Sequence, residues 1–232
     1  MDRKKFAKQL AREFRKEGYD NPIDYKEILR ELRVVMPEIK GRKKSKKLPE
    51  FLTLEEARAF IKEAYNLQNT ENGFKKGLIA ETFVKTGMRN FELGKLRVEN
   101  IDFDTNIFKI VEGKGSKDRF GIMPSSLLRT FRLHLKGRTS GFLFLNNRGN
   151  PYSTRSIQYI IKEVKIKAGI QKEITPHSLR HTFATILKEA GVDIRDIQKL
   201  LGHENIATTT IYEHMVISDK KDEILQIMSN IN

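Results

Sequence analysis

The chain contains no cysteine, which removes disulfide frameworks, thiolate zinc sites and cysteine nucleophiles together. It also lacks any stretch approaching the roughly 18 uninterrupted apolar residues that a membrane span requires. The amino terminus, Met1-Asp2-Arg3-Lys4-Lys5, leads into a charged amphipathic segment, without the apolar block and small-residue cleavage site of a secretory signal. A soluble, cytoplasmic protein is the expectation, with no membrane partner. Internal repeats and low-complexity tracts are missing too, so the chain reads as an ordinary globular sequence.

What is present is positive charge. Lys and Arg number 44 against 30 Asp and Glu, a formal net charge of +14, and a balance of this kind usually faces a polyanion. Nucleic acid is the first candidate; a merely basic, solvated surface is the alternative. The charge is concentrated at the front, where residues 1–49 carry +8 of the total. At 232 residues, 38% of them hydrophobic, the chain can bury one full core plus a small accessory unit.

Phe6, Leu10 and Phe14 are spaced for one short amphipathic helix, and Tyr25, Ile28, Leu29 and Leu32 for a second after Asn21-Pro22. The run Gly41-Arg42-Lys43-Lys44-Ser45-Lys46-Lys47 reads as an exposed basic linker, which places a domain boundary at 48/49. Thr53 and Glu56 form a capping box that opens a new folded unit, with Ala57, Phe60, Ile61 and Ala64 on the apolar face of its helix. A helix through Leu78, Phe83 and Val84 should end at Gly87, and another should start at Asn90, leaving Arg89 at the joint. Residues 107–111 and 120–123 read as a β-hairpin with Lys114 on its turn, and 142–145 as a further short strand. Helices are expected at 125–136 and 154–168, then from Thr175-Pro176 to Gly191, and from Asp193 to Gly202. The predicted fold is therefore mainly α with a small antiparallel β-sheet.

Taken one at a time, Arg89, Lys114, His177, Arg180, His203 and Tyr212 have ordinary explanations as surface, turn or core residues. His177 and His181 stand four apart on one helix face, so a zinc pair with His203 as third ligand is a rival reading; Ser178 follows His177 where a zincin carries its general-base Glu.

Read together, the segments Thr86-Gly87-Met88-Arg89-Asn90-Phe91-Glu92-Leu93, Gly113-Lys114-Gly115-Ser116-Lys117-Asp118-Arg119, Thr175-Pro176-His177-Ser178-Leu179-Arg180-His181-Thr182-Phe183 and Leu200-Leu201-Gly202-His203, followed by Thr208-Thr209-Thr210-Ile211-Tyr212, resemble the boxes of the tyrosine recombinases, in that family's order. The resemblance spans about residues 49 to 215 and implies site-specific cutting and rejoining of double-stranded DNA through a covalent 3′-phosphotyrosine, without metal, cofactor or ATP. It names Tyr212 as nucleophile, His177 as the base that takes its proton, Arg89, Arg180 and His203 as phosphate ligands, Lys114 as general acid, and Glu92 and His181 as supports of that site. Physical chemistry favours the same residue types: phosphoryl transfer gathers negative charge on the non-bridging oxygens, and planar guanidinium forks meet such oxygens two at a time.

The resemblance also implies a homo-oligomer on DNA, a tetrameric synapse. Lys43, Lys44, Lys46, Lys47, Lys117 and Arg119 are expected to contact DNA phosphates. Family members usually carry a longer helical DNA clamp ahead of the catalytic domain, so residues 1–48 are expected to be a short, truncated counterpart, residues 49–215 the catalytic domain, and 216–232 a tail helix. The apolar stripe of that tail, Ile217, Ile224, Leu225, Ile227 and Met228, could dock on a neighbouring protomer or on its own domain. Two rival functions share the pattern: a type IB topoisomerase-like relaxing enzyme, and a DNA-binding protein with this fold but no turnover.

Overall fold

The short amphipathic segment at the amino terminus forms α1 (Arg3–Lys16), whose last turn carries Arg15 and Lys16 at the negative end of the helix dipole. Gly18, at φ 83°, takes the left-handed conformation after it, and the Tyr19 amide donates back to the Phe14 carbonyl at 2.9 Å. Asn21 and Asp24 then exchange side-chain-to-backbone hydrogen bonds, a reciprocal cap at the start of the second expected helix. In this computed structural model the described residues are 3–19, 21, 24, 27–28, 30–31, 50–67, 71–111, 118–202 and 219–231. The rest of that second helix, and the basic linker with Lys43, Lys44, Lys46 and Lys47, lie outside them. The chain divides into two compact units, Met1–Leu48 and Pro49–Asn232.

In the larger unit the capping box forms as its sequence dictates. The Thr53 hydroxyl accepts from the Glu56 amide at 3.2 Å and the Glu56 carboxylate accepts from the Thr53 amide at 2.8 Å, opening α2 (Leu54–Tyr65). Its buried face lies on α3 (Glu71–Thr86), which also packs against three later helices and so runs through the centre of the unit. Leu78, Ile79, Ala80, Phe83 and Val84 of α3 are fully enclosed, and so are polar groups that must then pair internally. Thr82 and Thr86 donate to the carbonyls of Leu78 and Thr82, while Lys85, with no exposed surface, pairs with Glu81 at 2.8 Å. The Tyr65 hydroxyl from α2 donates to the other Glu81 oxygen, and burial together with that carboxylate pushes the phenol well above its ordinary value.

Next come α4 (Asn90–Lys95), a 3₁₀ turn and the strands β1 (Ile101–Asp102), β2 (Ile107–Ile110) and β3 (Arg119–Ile122). They form an antiparallel sheet in chain order, with Ile101 opposite Phe108 and Ile110 opposite Arg119. The hairpin is thus present as expected, joined by the short β1, which its two residues made illegible. Helices α5 (Ser125–Leu135), α6 (Thr154–Lys167), α7 (Pro176–Glu189) and α8 (Ile194–Leu201) follow. The strand expected at 142–145 is reduced to two isolated antiparallel bridges, Arg97 with Phe142 and Leu145 with Pro151, because its pairing changes partner within the segment.

The chain closes with α9 (Asp219–Ser229), packed on α5. Of its stripe, Ile224 and Met228 are buried together with Ile231 in the core of their own unit, and Arg58 of α2 donates to the Asn230 carbonyl at 2.8 Å. Between the two docking options left open by the sequence, this arrangement is the one within the chain; Ile217 lies outside the described residues.

Candidate active site

The first arginine box owes its shape to a glycine. Gly87 ends α3 at φ 61°, and a Cβ there would lie 2.6 Å from the Phe183 ring of α7 and 2.9 Å from Leu201 of α8. Its smallness lets three helices approach one point. Two residues on, Arg89 begins α4, and its amide donates to the Glu92 carboxylate at 2.6 Å while its guanidinium Nη1 donates to the other oxygen at 2.9 Å.

The second arginine is delivered by α7. Thr175 caps that helix by accepting from the Ser178 amide at 3.2 Å, and Pro176 occupies the first turn, where its missing N–H costs nothing. Thr182, one turn further, accepts from the Leu52 amide at 2.9 Å and fixes the helix to the start of the unit. Arg180 is thereby held inside, only 6% exposed, where it donates from Nη1 to the Gly87 carbonyl at 2.8 Å and from Nη2 to the Leu201 carbonyl. Burial, with Arg89 and Arg119 nearby, lowers its pKa to about 10, which still leaves it charged near neutrality.

Three arginines therefore converge on one helix end. Arg119 donates to the Leu200 carbonyl at 2.9 Å, Arg180 to that of Leu201, and Arg89 to that of Gly202 at 3.2 Å. These are carbonyls of the last turn of α8, which lack intrahelical partners and carry the negative end of the dipole. Gly202 sits at φ 66°, and its backbone hands the chain to His203.

Arg119 was expected to contact DNA phosphates; the structure corrects this. It is 6% exposed, donating from Nε and Nη2 to Glu92 at 2.8 and 2.5 Å. Period-two alternation along β3 puts it on the same face as Gly121, against the ring of Phe108, and so into the core side of the sheet. That alternation was the available signal, hidden by the basic turn before it. Glu92 ends up with four donors on its two oxygens. Burial alone would raise its pKa, but Arg119 first, then Arg89, hold it below the ordinary 4.5.

His177 is exposed on the first turn of α7, its Nε2 3.1 Å from Nε2 of His181 and the two rings edge to face. One ring donates to the other, so at least one partner is protonated at that nitrogen. Burial, then the neighbouring His177 and Arg180, lower the pKa of His181 and keep it neutral at pH 7. Arg89, His177 and Arg180, with Glu92 and His181 behind them, are thus grouped around the ends of α3, α7 and α8. Lys114, Lys117, His203 and Tyr212 lie outside the described residues, so the zinc reading's third ligand does too. No helix among the described residues is long and apolar enough to cross a membrane.

A sequence profile of the phage integrase family matches residues 50–217. The tyrosine recombinase XerD of Staphylococcus aureus is 39% identical over 183 residues, covering 75% of this chain and 60% of that protein, and its Staphylococcus saprophyticus counterpart is 36% identical over 181. The chain thus spans less than two thirds of the length of the curated relatives it matches. Among solved structures, XerA recombinase is 34% identical with a TM-score of 0.62, covering 88% of this chain and 71% of that one. XerH recombinase bound to a palindromic difH substrate, in a post-cleavage complex, is 25% identical with a TM-score of 0.59, covering 79% of this chain and 54% of that one.

Proposed function

The chain belongs to the phage integrase family, and from that premise we propose that it is a site-specific DNA recombinase working through a covalent 3′-phosphotyrosine. The observation that carries this reading is the convergence of Arg89 and Arg180, distant in sequence, on the helix end that leads to His203. Two guanidiniums held at one helix end supply donors and positive charge where a phosphodiester gains negative charge during displacement. A metal ion or ATP is not required by this chemistry.

In this mechanism the Tyr212 hydroxyl loses its proton to His177 and its oxygen attacks the phosphorus, while the bond to the 5′ oxygen breaks. Lys114 protonates that leaving oxygen. The phosphotyrosine keeps the energy of the broken bond, so a 5′-hydroxyl of another strand can attack it, releasing Tyr212 and resealing the backbone. The partner is double-stranded DNA, a reading supported by the similar XerH recombinase, which is bound to a palindromic difH substrate, and exchange between two duplexes calls for a tetrameric synapse. Lys43, Lys44, Lys46, Lys47 and Lys117 add phosphate contacts, and the protein acts in the cytoplasm.

A suicide substrate tests the reading: nicked duplexes carrying candidate sites, incubated with the protein in EDTA and resolved on a denaturing gel. A covalent protein–DNA band that disappears in Tyr212→Phe is the expected result. Retarded DNA in a native gel with no covalent band on any substrate would instead make the chain a DNA-binding protein without turnover.

A further inference from the structure

The mechanism above makes no use of the buried Arg119. Arg119 is only 6% exposed, and three of its nitrogens are committed at once. Nε and Nη2 hold the two oxygens of Glu92, and Nη1 holds the Leu200 carbonyl. Glu92, itself 1% exposed, spends its remaining lone pairs on the Arg89 amide and guanidinium. The path from Arg119 through Glu92 to Arg89 therefore has no slack and no bridging group that could adapt.

We infer that Arg119 is a positioning residue: it sets the place of Arg89 through Glu92 and the place of the end of α8 through Leu200. The inference rests on the proposed phosphoryl transfer for its catalytic consequence, though not for its geometry. Arg119 also opens β3, paired with Ile110 across the hairpin whose turn holds Lys114. One residue thus ties together three elements: β3 through its backbone, and the Arg89 box and the last turn of α8 through its guanidinium. Gly202 belongs to the same arrangement, because a Cβ there would lie 2.5 Å from Arg119 Cδ. Only a planar fork can reach a carboxylate on one edge and a backbone carbonyl on the other. A lysine, a point charge on a flexible stem, would satisfy Glu92 or Leu200 but not fix both.

The test compares the full chain with Arg119→Lys and Arg119→Gln, after thermal unfolding confirms that each variant folds. Single-turnover covalent cleavage is expected to slow by about 10–100-fold in both, the usual effect of losing a group that orients a site residue, with DNA retardation as in the unaltered protein. On a substrate whose scissile phosphate is a methylphosphonate, with no charge for Arg89 to meet, the gap between the variants and the unaltered protein should shrink. Equal slowing on both substrates, or full activity in Arg119→Lys, would overturn the inference. A readout without DNA separates its failure from failure of the recombinase reading. Rotation about the Arg89 Cζ–Nη bonds, followed by NMR, should speed up in Arg119→Gln; unchanged rotation overturns the positioning role even if no covalent band forms with any protein.

Discussion

Glu92 shows how much a single buried carboxylate can hold. Two arginines satisfy it, and without it the buried Arg119 would lose its carboxylate partner while facing the charge of Arg89. Replacing one partner of a buried, hydrogen-bonded ion pair costs about 3–5 kcal/mol, because the charges left behind cannot return to water. Glu92→Gln should therefore lower the melting temperature at pH 7. Its carboxyl is held below 4.5 in the fold, so the stability it contributes is present above that value and drains away as pH falls through the folded pKa. A thermal series from pH 7 to pH 3 should show a shallower acid limb for Glu92→Gln than for the unaltered protein; parallel curves would mean that the carboxyl is not held low. At this scale the boxes singled out Arg89, His177, Arg180, Glu92 and His181 as candidates, because each stands in a short local motif. The inward turn of Arg119 stayed hidden, since a basic residue after a lysine-rich turn looks solvent-facing until its carboxylate partner on another element is known.

Among the elements, the helix ends were the most legible and the edges of the sheet the least. Thr53 with Glu56, Thr175 with Pro176, Asp193 and Gly202 each carry local chemistry that fixes a boundary regardless of what packs nearby, and α2, α7 and α8 begin or end there. The segment 142–145 has strand-like residues but no partner strand, and partnership is a tertiary property. The polar set on α3 was also unreadable: Lys85 inside a helix suggests solvent, whereas here it neutralises Glu81 beneath Tyr65. Gly202 offers the sharpest test of an element end. A non-glycine residue in the left-handed conformation loses roughly 1–2 kcal/mol, and the new methyl would also displace Arg119. Gly202→Ala should lower the melting temperature and slow covalent cleavage together, whereas Gly191→Ala, left-handed at φ 92° but with open space around it, should cost stability alone. Measuring both variants in the same two assays separates backbone strain from displacement of the arginine.

Over the whole molecule, the charge asymmetry of the sequence survives as two units divided after Leu48, the smaller carrying +8 of the net +14. Composition pointed towards a polyanion partner without deciding it, whereas the order of the boxes announced the family, because the boxes are written locally along the chain. Which positive groups face outward was not, since that depends on where each segment lands. The gathering of Arg89, Arg119 and Arg180 at one helix end has a thermodynamic side. Three cations meet there against Glu92 and the end of α8, worth about half an elementary charge. An excess of roughly one and a half charges is left, and a folded state that confines such an excess is tense until an anion arrives. Folding and anion binding are then coupled, each favouring the other by mass action. Sulfate should raise the melting temperature more than chloride at equal ionic strength, and less so in Arg89→Gln; identical curves in the two salts would show the tension to be absent. On the proposed recombinase reading, such a protein would be at its least stable before it meets a phosphate and at its most stable when holding one, so that the substrate would complete the fold.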